Sequence, residues 1–202
     1  MNIIEFDQEY ALQQLRRSRH PLRRLIKYFY LKNILCDVCG PTIDFGCGAG
    51  QLLARLPVGS IGLEVNPYLV QELQRVNLNV VLYNPDPDDQ FSLHGLPRNY
   101  YKTLVMSHVL EHFDHANEAL HQLCRSCDYL GIKRLILILP GIKGFKSDKT
   151  HKTFVDENYI KENGLFYCED YKIIKTNYFP INLEFFGKYY AFHELKMVYE
   201  RD

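Results

Sequence analysis

The sequence has no long apolar run. Its longest, Leu135 to Pro140, falls far short of the roughly 20 residues a helix needs to cross a bilayer, so no membrane span is expected. The opening stretch, MNIIEFDQEY, carries acids and lacks the apolar segment of a secretory signal. A soluble, cytoplasmic protein is the expectation. In that compartment its six cysteines should be reduced thiols rather than a disulfide framework. Net charge is lacking too: 24 Lys and Arg balance 24 Asp and Glu, so overall charge argues neither for nor against a nucleic-acid partner. No internal repeat and no low-complexity stretch is present.

What is present suits a folded chain. With 202 residues, 47% of them apolar, one domain with a sizeable core is expected. Residues 7 to 36 carry apolar side chains at helical spacing (Leu22, Leu25, Ile26, Phe29, Tyr30), with a break near His20-Pro21 and a stop at Gly40-Pro41. Short apolar runs then alternate with helical segments. Strands are predicted at Thr42 to Phe45, Ser60 to Glu64, Asn79 to Tyr83, Lys102 to Ser107 and Arg134 to Leu139. Helices are predicted at about Gln51 to Leu56, Pro67 to Val76 and Asp114 to Leu130. Continuous rather than alternating apolar strands are those of a parallel sheet covered on both faces. After Pro140 the chain turns basic. A helix is plausible over Asp156 to Asn163, and the aromatic tail from Tyr167 to Tyr199 reads as strand, loop, strand. The expected architecture is α/β: a doubly wound, seven-stranded, mostly parallel sheet with an antiparallel C-terminal strand and N-terminal helices. It forms a single domain over 1–202, with a helical segment at 1–40, a ligand-binding core at 41–140 and an acceptor-side loop and strands at 141–202.

The most informative constellation is Asp44-Phe45-Gly46-Cys47-Gly48-Ala49-Gly50, followed by Glu64 at the end of the next strand. Glycines there let the backbone turn sharply and approach a ligand closely. Glu64 stands where a carboxylate accepts both hydroxyls of a ribose. The Gly-x-Gly-x-Gly spacing departs from the pyrophosphate pattern, and Asp44 before the turn suits a cation better than a phosphate. A nucleoside with a sulfonium and an amino group fits these residues better than NAD. Taken alone, the loop could also be a structural turn of any α/β fold.

On these residues the chain resembles the class I S-adenosylmethionine-dependent methyltransferases. TIDFGCGAG matches their first motif, GLEVNP their acidic second-strand motif, and SHVLEHF the stretch after their fourth strand. The resemblance implies S-adenosylmethionine as cofactor and S-adenosylhomocysteine as product. It implies that Asp44, Phe45, Gly46, Cys47, Gly48 and Gly50 surround the methionine part. Glu64 would then hold the ribose, with Val65 beside the adenine. Asn84, Pro85 and Asp86 would reach the adenine, and Ser107 and His108 would line the sulfur end.

A second, narrower resemblance covers about residues 140 to 200. The segment Phe145-Lys-Ser-Asp148-Lys-Thr-His151 and the late Pro180, Phe186-Gly-Lys188 and His193-Glu194 are similar to methyltransferases that accompany polysaccharide and lipopolysaccharide biosynthesis. It implies a sugar or nucleotide-sugar acceptor, with Asp148 and His151 in the acceptor pocket. His112 and His151 are the candidate bases, because imidazole titrates near neutrality.

Other clusters read as structural. His108-Val-Leu-Glu111-His112 spells an inverted zinc-protease motif, but a strand leads directly into it, so both rings should not share a helix face. Cys36-x-x-Cys39 and Cys124-x-x-Cys127 lie far apart, on helices expected on opposite faces of the sheet. They read as thiols, and no metal is expected. The basic stretch from Arg16 to Arg24 reads as a solvated helix face or an anion site. Two other activities fit the same residues: methylation of another small metabolite on O or N, and a regulatory or assembly protein that kept the cofactor fold. Base methylation is not expected, because the Asn/Asp-Pro-Pro-aromatic motif is missing after the fourth strand.

Overall fold

A computed structural model describes residues 8–19, 21–85 and 90–201. Two helices come first, α1 (Gln8–Arg19) and α2 (Pro21–Leu35), so the N-terminal segment divides where the break was expected. Then follow β1 (Thr42–Phe45), β2 (Ile61–Glu64), α3 (Pro67–Arg75), β3 (Val80–Leu82), β4 (Thr103–Ser107), α4 (Ala116–Leu130) and β5 (Arg134–Pro140). Two short helices, α5 (Ile142–Phe145) and α6 (Glu157–Glu162), lead into β6 (Tyr167–Cys168), β7 (Tyr171–Phe179) and β8 (Glu194–Arg201).

These strands form one sheet in the order β3-β2-β1-β4-β5-β8-β7-β6. The first five are parallel and the last three antiparallel. The doubly wound reading holds, with eight strands in place of seven. The extra strand is β6, two residues long, too short to carry a periodicity of its own. It exists because β7 offers it an edge.

Side chains of β4 and β5 alternate between the two faces. Leu104, Met106, Leu135 and Leu137 pack with Leu120, Leu123, Cys124 and Cys127 of α4. Val105, Ile136 and Ile138 pack with Tyr30, Leu31 and Ile34 of α2. Cys124 and Cys127 lie within α4, whereas Cys36 and Cys39 follow the end of α2. Cys124 and Cys127 are buried, while Cys36 and Cys39 are exposed. Each fully buried Leu or Ile contributes about 1.5–3 kcal/mol of burial free energy.

Local chemistry sets the helix starts. Asn66 caps α3, its side-chain oxygen accepting from the Tyr68 and Leu69 N–H groups at 2.9 and 3.2 Å, and Pro67 occupies the first turn. Asp156 caps α6 by accepting from Tyr159 N–H at 2.8 Å. The segment predicted as a helix from Gln51 is only a 3₁₀ turn, Leu53–Arg55; Pro57 closes off the space in which it could extend. The chain winds outward in both directions from the neighbouring strands β1 and β4. The crevice beyond their carboxyl ends is where such sheets bind ligands.

Candidate active site

A cavity of about 460 Å³ lies in that crevice. One wall is the glycine loop after β1. Gly48 has φ +53°, and a Cβ built on it would meet nothing within 4 Å, because that side faces the open cavity. Gly50 also has positive φ, but a Cβ there would come within 2.7 Å of Leu73 Cδ2 and 2.9 Å of Leu78 Cδ1. Its hydrogen faces α3, so Gly50 lets the helix approach the loop and lies off the cavity wall.

Two carboxylates close this end. Glu64, at the last position of β2, is buried; Oε2 accepts from Gly48 N–H at 2.7 Å and Oε1 from Asn66 N–H at 2.9 Å. Burial raises its pKa, and those backbone donors oppose the rise. Asp44 is only 2% exposed, and its Oδ2 has no hydrogen-bond partner among the described residues. Burial pushes its carboxyl up to about 7, against the Leu53 N–H and the charge of Lys27, while Glu64 adds to the rise. A buried carboxylate oxygen with no donor, beside an open cavity, is suited to a cationic ligand group.

The middle of the cavity is built by β4 and by α2, which crosses over it. Tyr30 OH and Ser107 Oγ share a hydrogen bond of 2.6 Å. The backbone then turns sharply at His108, which has φ +56°, a conformation costly for a residue with a Cβ. Two carboxylates hold it there: Nε2 lies 3.0 Å from Glu194 and Nδ1 3.3 Å from Glu111. Burial opposes charge on this ring, but Glu194 and Glu111 outweigh it and raise the pKa to about 10. His108 is a fixed imidazolium at neutral pH.

The far end is formed by the 3₁₀ turn Leu110–His112 and the segment after α5. His112 and His151 face each other edge to face with ring centres 4.8 Å apart, and Phe145 stacks on His151 at 5.4 Å. Burial lowers the pKa of His112, against the opposing pull of Glu111, which favours the neutral ring. Asp148 accepts from the Thr150 N–H at 2.9 Å and hydroxyl at 2.7 Å. Those bonds outweigh burial and keep its pKa low. Glu111, fully buried, lies between His108 and His151.

The structure thus brings nearly all the predicted residues to one cavity. Of the residues expected around the cofactor, Gly50 packs against α3, Asn84 lies off the cavity lining, and Asp86 falls outside the described residues. His112, Asp148 and His151 all line the far end. Sequence reasoning missed Lys27, Tyr30 and Glu194 as cavity residues. In the sequence Tyr30 reads only as part of a helix's apolar face, and nothing in the local pattern distinguishes a core tyrosine from a pocket one. Of the basic stretch, the side chains of Arg17, Arg19, Arg23 and Arg24 fall outside the described residues.

A family model described as a methyltransferase domain matches residues 13–131. No curated protein sequence matches the chain. Among solved structures, a SAM-dependent methyltransferase from Archaeoglobus fulgidus is 20% identical, with a TM-score of 0.64 over 96% of this chain and 100% of that one. The magnesium protoporphyrin IX methyltransferase of Synechocystis PCC 6803, solved with bound SAH, is 16% identical, with a TM-score of 0.64 over 98% and 97% of the two chains. The N-methyltransferase NodS from Bradyrhizobium japonicum WM9, in complex with S-adenosyl-L-homocysteine, is 14% identical, with a TM-score of 0.63 over 96% and 97%. At these identities the likeness is one of fold. Among the described residues, no helix is long and apolar enough to cross a membrane.

Proposed function

The chain belongs to the methyltransferase-domain family, and on that premise we propose that it moves a methyl group from S-adenosylmethionine to a hydroxyl of a small acceptor, a sugar or glycan precursor. The observation that carries this reading is the pairing, in one cavity, of the Asp44 oxygen that has no partner among the described residues and Glu64 with two imidazoles at the opposite end.

The residues present fit the cofactor. Asp44 offers its unpartnered oxygen to the amino group of the methionine part. Gly48 leaves room for the same part to lie against the backbone. Glu64, at the end of the strand next to β1, offers its carboxylate to the ribose, with Val65 and Pro85 beside the base. When bound, the cofactor supplies a methyl made electrophilic by its sulfonium.

The remaining work is alignment. Holding acceptor oxygen and methyl carbon in line is worth up to roughly 7–11 kcal/mol. The wall around the two groups is built for it: Tyr30 and Ser107 are tied to each other, and His108 is clamped by two carboxylates. The acceptor's proton leaves toward the imidazole end. His112 and His151 each bond a backbone carbonyl through Nδ1, at 3.2 and 2.9 Å, which leaves Nε2 with a lone pair. A positioned base of this kind typically contributes about 10²–10⁴-fold.

Calorimetric titration with S-adenosylmethionine, S-adenosylhomocysteine and NAD tests the cofactor assignment; saturable binding of the first two alone is expected. A screen of sugars and nucleotide sugars for S-adenosylhomocysteine release then tests the acceptor. With the acceptor in hand, His151→Ala should lower turnover by about 10²–10⁴-fold. Unchanged turnover would remove His151 from the reaction.

A further inference from the structure

The geometry points to a site for one first-row divalent transition-metal ion, held by Glu111, His112 and His151 at the acceptor end of the cavity. One donor atom from each of these residues lies within 4.8 Å of the others. The case rests on their convergence, on the burial of Glu111 and on the contacts that orient the two rings.

Glu111 is fully buried, and neither of its carboxylate oxygens has a hydrogen-bond partner among the described residues. Burying a carboxyl group without a partner is costly, so an unpartnered one in a pocket with two imidazoles is suited to a bound cation. His112 Nδ1 lies 3.2 Å from the Thr150 carbonyl and 3.1 Å from its hydroxyl oxygen. That hydroxyl gives its hydrogen to Asp148, at 2.7 Å, so both Thr150 oxygens can only accept. The proton of His112 is therefore on Nδ1. His151 Nδ1 lies 2.9 Å from the Phe145 carbonyl, which again can only accept. Its Nε2 stands 3.7 Å from Glu111 Oε1.

One imidazole nitrogen each of His112 and His151 and a buried carboxyl group thus share one pocket. The neighbouring cation, His108, offsets this burial only in part: it meets Glu111 Oε1 at 3.3 Å and is shared with Glu194 at 3.0 Å. Glu111 Oε2 has no hydrogen-bond partner among the described residues.

A carboxylate with two imidazoles is a donor set for zinc, manganese, iron, cobalt or nickel rather than for calcium or magnesium. The Nδ1–H bonds to carbonyls are the outer contacts that orient a metal-bound histidine. Ligand distances of about 2.0–2.2 Å require only a modest closing of the three side chains. The donors come from one side, since Glu111 and His112 share a 3₁₀ turn and His151 follows α5, so the ion's other positions face the cavity. There it would bind the acceptor hydroxyl and lower its pKa, taking over the base role of His112 and His151, whose lone pairs are then on the ion. The O–H bond then breaks to release a proton to solvent. An O–C bond forms to the methyl, and the C–S bond breaks with its electron pair staying on sulfur. This role rests on the methyl-transfer reading; the ion site itself does not.

The test is calorimetric titration of the chelator-treated full chain with Mn²⁺, Co²⁺ and Zn²⁺, carried out in a Cys36→Ser/Cys39→Ser background so that exposed thiols do not compete. One saturable site is expected, weakened at least tenfold by Glu111→Gln and by His151→Gln. The Co²⁺ form should show visible absorption that both variants lose. Retained thermal unfolding cooperativity shows that the variants fold. If Glu111→Gln does not, His112→Gln replaces it. No saturable binding of any of the three ions, or equal binding by folded variants, overturns the site. Ion binding by a protein that binds no S-adenosylhomocysteine would leave the site standing and remove the methyl-transfer reading.

Discussion

With the cofactor placed as proposed, Asp44 should link pH to both stability and cofactor binding. Its carboxyl is raised from an ordinary 3.8 to about 7, chiefly by burial. Between those values the folded protein holds a proton that the unfolded chain has lost. Unfolding free energy therefore falls as pH rises from about 4 to about 7, by up to about 4 kcal/mol if the full shift is expressed. An ammonium placed against Asp44 favours the ionised form and draws the pKa down. Cofactor binding should then release up to one proton between about pH 5 and 7, and affinity should rise with pH by up to tenfold per unit before levelling off near 7. The cofactor's own α-amino group, near 8 in free amines, stays protonated through this window. Other groups near Asp44 are Lys27, whose pKa burial lowers, and Glu64, whose raised pKa would add to the same trend. The assay is calorimetry at pH 6 in two buffers of different ionisation enthalpy, repeated at pH 7.5, on wild type and Asp44→Asn. The substitution should flatten the pH dependence and weaken binding at pH 7.5 by about 10–100-fold, the worth of a charged hydrogen bond. Equal wild-type affinity at both pH values with no proton release would refute the placement of a cation against Asp44.

Other outcomes follow from the same geometry. Glu64→Ala should weaken S-adenosylmethionine and S-adenosylhomocysteine binding by about 10–100-fold through lost charged hydrogen bonds, measured by the same titration, and should not create NAD binding. Lys196, 3% exposed on β8, donates to the Asn33 carbonyl at 2.8 Å and to Asp37 at 2.6 Å, tying α2 to the sheet over the cavity. Lys196→Met should cost about 1–3 kcal/mol, read as a lowered denaturation midpoint. Lys175 keeps Asp37 partly paired, at 2.9 Å, which limits the loss.

Much of this molecule is legible in its sequence because the signals are local. Apolar runs between helical periods mark buried parallel strands, and Asp44, Gly46, Gly48 and Glu64 sit at strand ends in an order that any doubly wound sheet brings to one crevice. The tail was legible only in outline: β7 and β8 carry their own patterns, whereas β6 exists only as a partner to β7.

The acceptor end was decided by tertiary structure. Read as a string, His108-Val-Leu-Glu111-His112 fails as a metal motif because its two histidines do not share a helix face, and in the fold they part company. His108 turns to Glu194, on a strand at the other end of the chain, while His112 turns to His151. The third donor comes from a loop after β5, positioned by the Phe145 carbonyl. Gly50 shows the reverse: a motif glycine that the fold spends on the contact with α3. Sequence periodicity and turn chemistry determine which elements form. Which lone pairs meet, and which carboxylates stay without a donor, depends on distances between segments that no local pattern encodes.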